Sequence, residues 1–131
     1  MSHIVEEKTS IVNPDTILLQ QATQLVAQQH GGTVETHYLD YTHRRHRCLH
    51  AIHTPELERG IGLNIDTKTG TLTFVGDSWM VKDFYNQVQQ EVIQTYVALG
   101  YMQALQAVGY TANAVEGTEP GQVIIQGVQY A

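Results

Sequence analysis

The residues best equipped for chemistry crowd into one stretch, His43-Arg44-Arg45-His46-Arg47-Cys48-Leu49-His50-Ala51-Ile52-His53. Four of the chain's seven histidines and three of its seven basic residues fall there, and no acid lies between Asp40 and Glu56. Three chemistries fit such a segment. In a strand, alternate side chains share a face, so His46, Cys48 and His50 project together. Imidazole and thiolate suit zinc, although this spacing matches no paired C-x-x-C element and the neighbouring arginines oppose a cation. Alternatively, Arg44, Arg45 and Arg47, flanked by His43, His46 and His50, present forks that match phosphate oxygens, and Tyr38 and Tyr41 add stacking surfaces for a nucleic acid. The same guanidiniums serve an acidic protein partner, or an acidic face of a second copy, equally well. Beside all three stands a plainer reading: a solvated loop and edge strand whose charges deter edge pairing.

The whole-chain charge bears on this choice. At −6 it disfavours non-specific attraction to nucleic acid or an anionic membrane, so a protein partner is the preferred expectation. Protonating all seven histidines would carry the formal charge to +1, so surface charge should respond strongly below about pH 6.5. Catalysis has thin support. Cys48 beside a histidine, or Asp77 paired with one, supplies groups for nucleophilic or acid–base work, but neither sits in a catalytic motif. There is no P-loop and no G-x-G-x-x-G, and no cofactor is expected. A lone Cys in a strand is ordinarily a small core residue, so Cys48 is expected to face inward and react slowly. Asp77-Ser78-Trp79 reads two ways: a helix cap with Trp79 packed beneath it, or an exposed Trp79 acting as a binding hot spot.

These residues need elements to position them. Thr9–Val12 reads as a short strand. Asn13-Pro14-Asp15 starts a helix, with Asn as cap and Pro at the first helical position. Ile17, Leu18, Ala22, Leu25 and Val26 form its apolar face, the glutamines 20, 21, 24, 28 and 29 its wet side, and Gly31-Gly32 its end. Strands follow at 33–39, 47–54, 60–66 and 71–75, the last two joined by the turn Thr67-Lys68-Thr69-Gly70. A long helix starts from Asp77-Ser78. Val81, Phe84, Tyr85, Val88, Val92, Tyr96 and Leu99 line one face, Gly100 is a candidate kink, and Gly109 a candidate C-terminal cap. Two closing strands, 110–116 and 122–129, flank a turn at 117–121. The fold class expected is α+β: a two-layer domain with a mainly antiparallel sheet in the order β-α-β-β-β-β-α(α)-β-β and helices on one face. Leu25, Phe84, Val88, Val92, Leu63 and Phe74 form the expected core. The apolar run Val123-Ile124-Ile125 is a candidate edge for self-association.

Several of these residues also carry a resemblance. Met1-Ser2-His3, Gly62-Leu63-Asn64 before a hairpin and Asp77-Ser78-Trp79 after it, then Tyr96, Leu105 and Gly109-Tyr110, occur in an order that resembles the plastid and cyanobacterial family called hypothetical chloroplast open reading frame thirty-five, a domain of unknown function. The resemblance spans most of the chain. It implies a role beside AAA-type ATPases and small companion proteins, near which members are often encoded, and carries over no catalytic residue. The Arg/His-rich island is particular to this sequence.

Size and composition agree with one domain, 1–131. The hydrophobic fraction of 42% suits a globular chain, no apolar run approaches the roughly 18–20 residues of a membrane span, and no signal peptide is visible. A single cysteine excludes an internal disulfide and fits a reducing, cytoplasmic setting. The function expected is a non-enzymatic interaction or accessory protein, with a small-ligand, metal or nucleic-acid binder through 43–53 as the alternative.

Overall fold

The computed structural model describes residues 4–116 and 123–129, with residues 110–116 and 123–129 described by backbone alone. The element order is β1 (Ile4–Val12), α1 (Thr16–Gln29), β2 (Thr33–Leu39), β3 (Arg45–His53), β4 (Ile61–Ile65), β5 (Thr71–Asp77), α2 (Lys82–Ala107), β6 (Tyr110–Glu116) and β7 (Val123–Gln129). The first five strands form an antiparallel sheet in the order β1-β5-β4-β3-β2. Both helices pack on one face of it, giving the expected α+β architecture. Among the described residues the closing strands pair with each other, as a separate two-stranded ladder lying along α2. The opening residues Met1-Ser2-His3 and the expected turn at 117–121 lie outside the described residues.

Local chemistry sets the element ends. Asp15, not Asn13, caps α1: its carboxylate accepts from the amides of Ile17 and Leu18 at 3.0 and 3.1 Å, satisfying donors the first helical turn leaves free. Pro14 therefore precedes the cap, and Asn13 turns the chain with φ +50°. At the other end Gly31 adopts φ +66° and Gly32 N donates to Ala27 O at 2.8 Å, closing the helix as expected. The hairpin turn before β5 is organised by Asp66, whose carboxylate accepts from the amides of Lys68 and Thr69 at 2.7 and 3.2 Å. The second helix begins later than Asp77-Ser78. Its N-cap is Val81, with no side-chain cap bond, because Asp77 ends β5 and its carboxylate is engaged elsewhere. Gly100 does not break α2, which runs through it from Lys82 to Ala107.

The main core lies between sheet and helices. Leu19, Val26, Ile52, Ile61, Leu63, Leu72, Phe74, Tyr85, Val88 and Val92 are all buried there. The inward stripe of α1 is Leu19, Ala22, Thr23, Val26 and Ala27, a 3-to-4-residue period that places Leu25 one step, about 100°, off the contact line. Leu25 is accordingly 42% exposed and Ile17 68% exposed, correcting their assignment to the buried face. Small Ala22 and Ala27 hold the line of contact instead. On α2 the fully buried aromatic is Tyr85, and Phe84 packs at the core margin, half-buried. The helices are tied to each other by Tyr96, whose hydroxyl accepts from Asp15 N at 2.9 Å, and by His30 Nε2 against the buried Glu91 carboxylate at 2.6 Å.

This packing makes a contrast measurable by denaturant unfolding. Leu63→Ala removes a fully buried side chain from a central strand and is expected to cost about 2–5 kcal/mol. Leu25→Ala, on the exposed flank of α1, is expected to cost about 1 kcal/mol or less. Equal shifts in the two midpoints would show that the α1 stripe is misplaced.

Candidate functional site

The site is built by a bend. Along β2 and β3, Glu35 pairs with Ala51 but His37 pairs with Arg47. Thr36 alone therefore faces three residues of β3: Cys48, Leu49 and His50. Surplus residues in one strand bend it and sharpen its twist. The unpaired Leu49 amide is satisfied by a side chain, donating to Asn64 Oδ1 at 2.9 Å. Beyond the bend the hairpin tip folds over the sheet face opposite the helices. Leu39 N donates to Arg59 O at 2.7 Å. The Tyr38 ring lies on Gly62, so close that a Cβ there would meet Tyr38 Cδ1 at 2.9 Å. Tyr38, Cys48, Ala51 and Val75 form a second, smaller buried cluster on this face.

Asp40 organises the tip. Its carboxylate accepts from the Thr42 hydroxyl at 2.6 Å, the Thr42 and Arg44 amides at 2.8 and 3.0 Å, and His46 Nε2 at 2.9 Å. Donors of this kind favour the ionised form, and the Thr42 hydroxyl and His46 ring hold the carboxyl well below the usual carboxylate range. His46 is further fixed by stacking on Tyr38, with ring centroids 5.1 Å apart. His43 takes a left-handed backbone, φ +63°. Around this ordered turn Arg44, Arg45 and Arg47 are exposed, and none of their guanidiniums has an ion pair among the described residues. Arg59 differs: its Nη1 lies 3.0 Å from the fully buried carboxylate of Asp77.

Beside the tip opens a cleft of about 440 Å³, lined by Leu39, His43, Leu57, Arg59, Asp77 and Trp79 among others. Asp77 forms part of its wall, accepting from Arg59 and, through Oδ1, from the Trp79 amide at 3.0 Å. That use of Asp77 explains why it does not cap α2. Trp79 does not pack beneath the helix, as one of the two readings held; it is 57% exposed, and Met80 beside it is 81% exposed with φ +70°. The basic tip and the cleft are contiguous, since Leu39 pairs with Arg45 across the hairpin.

The zinc grouping His46, Cys48 and His50 depends on regular alternation, and the bend disrupts it. Cys48 shares a cluster with Ala51, which an unbroken strand forbids. Its thiol donates to His50 O at 3.3 Å and is pushed by burial up to about 11. Burial also lowers the value for His50, so that ring favours its neutral form. Among the described residues, the His, Cys, Asp and Glu side chains whose donor atoms converge within 4.8 Å in a group of three are Glu35, His37 and His53. Sequence reading passed over Glu35 and His37, although their two-residue spacing on a strand was the available signal. No helix among the described residues is long and apolar enough to cross a membrane. Comparison of the chain with protein-family models, curated proteins and solved structures gives no match.

Two measurements follow. Because the folded-state value for Asp40 is depressed, its contribution is fully present above the ordinary carboxylate value near 3.9 and is lost as pH falls through the folded value. The stability difference between wild type and Asp40→Ala should be largest near neutrality and shrink below about pH 4; a pH-independent difference would mean that the ionised carboxylate is not what orders the turn. Native Cys48, 7% exposed, should react with thiol reagents far more slowly than in the unfolded chain, and labelling at equal rates would contradict its burial.

Proposed function

We propose that the protein is a non-enzymatic accessory module that captures an acidic segment of a partner protein on the hairpin tip and the adjoining cleft. One observation carries this reading: Arg44, Arg45 and Arg47 stand exposed, without ion pairs among the described residues, around a turn ordered by Asp40, in a chain whose net charge is −6. Clustering like charges costs self-repulsion, and an incoming carboxylate relieves it. Arginine and tryptophan are the residue types most often dominant in binding surfaces, and Trp79 meets the tip through the cleft wall. An acidic segment with one apolar side chain fits this arrangement, its carboxylates on the guanidiniums and its apolar group against Trp79. The one candidate nucleophile, the Cys48 thiol, is buried and holds its proton, which favours binding over catalysis. The sequence resemblance described above implies in addition a place beside an AAA-type ATPase.

Trp79 is the chain's single tryptophan, so its fluorescence reports the cleft directly. A synthetic peptide with Asp/Glu runs around one leucine should shift Trp79 emission to shorter wavelength, with an affinity that falls as salt rises. Replacing Arg44, Arg45 and Arg47 together by Gln should leave the circular dichroism unchanged, weaken the peptide about tenfold at low salt and flatten the salt dependence. An unchanged affinity in the triple variant would overturn the reading, as would a single-stranded oligonucleotide binding the wild type more tightly than the peptide.

A further inference from the structure

We propose that Glu35, His37 and His53 form a binding site for a divalent transition metal of the zinc class, placed at the bend of β2. The site is independent of the peptide-binding reading. Its ligand types are a carboxylate and two imidazoles, a set suited to zinc. The donor atoms already stand at coordination spacing. His53 Nε2 lies 3.2 Å and His37 Nε2 3.6 Å from the same oxygen, Glu35 Oε2. Bonds of about 2.0–2.1 Å to a tetrahedral ion place neighbouring donors roughly 3.4 Å apart. The two observed edges bracket that value, and all three donors lie within 4.8 Å of one another.

The surroundings of His53 supply a second, independent observation. Its Nδ1 lies 3.2 Å from Glu58 O, so a proton there points at the carbonyl. Metal-bound histidines characteristically donate their other ring N–H in this way, which fixes the tautomer and aims the ring. With that proton placed, Nε2 confronts two oxygens, His37 O at 2.7 Å and Glu35 Oε2 at 3.2 Å. In the other neutral tautomer Nε2–H donates to His37 O; a metal ion at Nε2 takes the place of that proton, with Nδ1–H turned to Glu58 O. Gly60 completes the seat. It has φ +82°, and a Cβ at this position would come within 2.6 Å of His53 Cε1, so only glycine lets the ring lie where it does.

Access and burial also fit. The side chains of His53, His37 and Glu35 are 14%, 24% and 43% exposed, a graded opening from an enclosed ligand to solvent. Arg47 pairs with His37 across the hairpin and opposes a cation, but its side chain is exposed and its charge is screened by water. Two of the ligands flank Thr36 on β2 and the third comes from β3, so a bound ion staples the strands where the surplus residues bend them. Three protein ligands leave a fourth position for water.

Titration of the full chain with zinc alone, by calorimetry, and with cobalt, by visible absorption, tests this. One ion per chain and cobalt bands of tetrahedral intensity are expected. His37→Ala, the volume-conserving His37→Gln and Glu35→Gln should each weaken zinc by more than about 100-fold, since even changes to outer-shell partners cost about 10–100-fold. His46→Ala and Cys48→Ala should leave it unchanged. Zinc should raise the unfolding midpoint of wild type and not that of His37→Gln. Absence of a one-to-one site, retained affinity in the His37 and Glu35 variants, or loss of binding in the His46 or Cys48 variants would overturn the assignment.

Discussion

The arrangement of this molecule's chemistry rests on three residues of β3 facing one residue of β2. A regular hairpin would continue the plane of the sheet, point its tip away from the body and leave the second face bare. The extra residues bend it so that Tyr38 drops onto Gly62 and Val75. Every feature of functional interest then follows from position. The tip brings His43 and Leu39 to the wall of the cleft, and the bend itself gathers Glu35, His37 and His53. Its local cost is an unpaired ladder position, offset by Asn64 accepting from the Leu49 amide.

This bend marks the boundary of what the sequence made legible. Strand and helix existence could be read because burial of one face imposes a period: Ile61, Leu63 and Ile65 alternate, and the glutamines of α1 fall on the solvent side. Turns could be read where a backbone conformation demands glycine, as at Gly70 and Gly109. The bend has no such signature. No glycine or proline stands between Arg47 and Ala51, and the residues that stabilise the irregularity, Asn64, Gly62 and Val75, lie on other strands. Assuming unbroken alternation grouped His46, Cys48 and His50, whereas the donors that converge include Glu35 and His37 from the neighbouring strand. Asp77 failed as a cap for a related reason. Its partner, Arg59, is distant in sequence, and a local motif cannot reveal that a carboxylate is already committed. Leu25 shows a finer limit: periodicity finds a helix face, but a one-residue step decides which side chain sits at its centre.

The two treatments of charge on this surface are informative together. At Asp77 the chain buries a carboxylate and neutralises it with Arg59, an arrangement that breaks only at considerable cost because it would leave a buried charge uncompensated. At the tip it does the reverse. Asp40 is saturated by short-range donors, the Thr42 hydroxyl and two backbone amides with the His46 ring, none of which is an arginine side chain. The acid nearest to the basic island is thus spent on shaping the turn, and the guanidiniums of Arg44, Arg45 and Arg47 are left outward. Fold stability explains the first arrangement. It does not call for the second, since a turn ordered by Asp40 would form equally well with neutral side chains at those three positions.

A series of hydrogen bonds runs from the bend to the cleft. Glu35 and His37 flank Thr36, and His53 binds the carbonyl of His37 and faces that of Glu58. One ring therefore spans the bent strand and the loop that leads through Arg59 into β4. Arg59 in turn holds Asp77, and Asp77 holds the Trp79 amide. The last link of this chain of contacts is the backbone amide of Trp79 at the cleft wall.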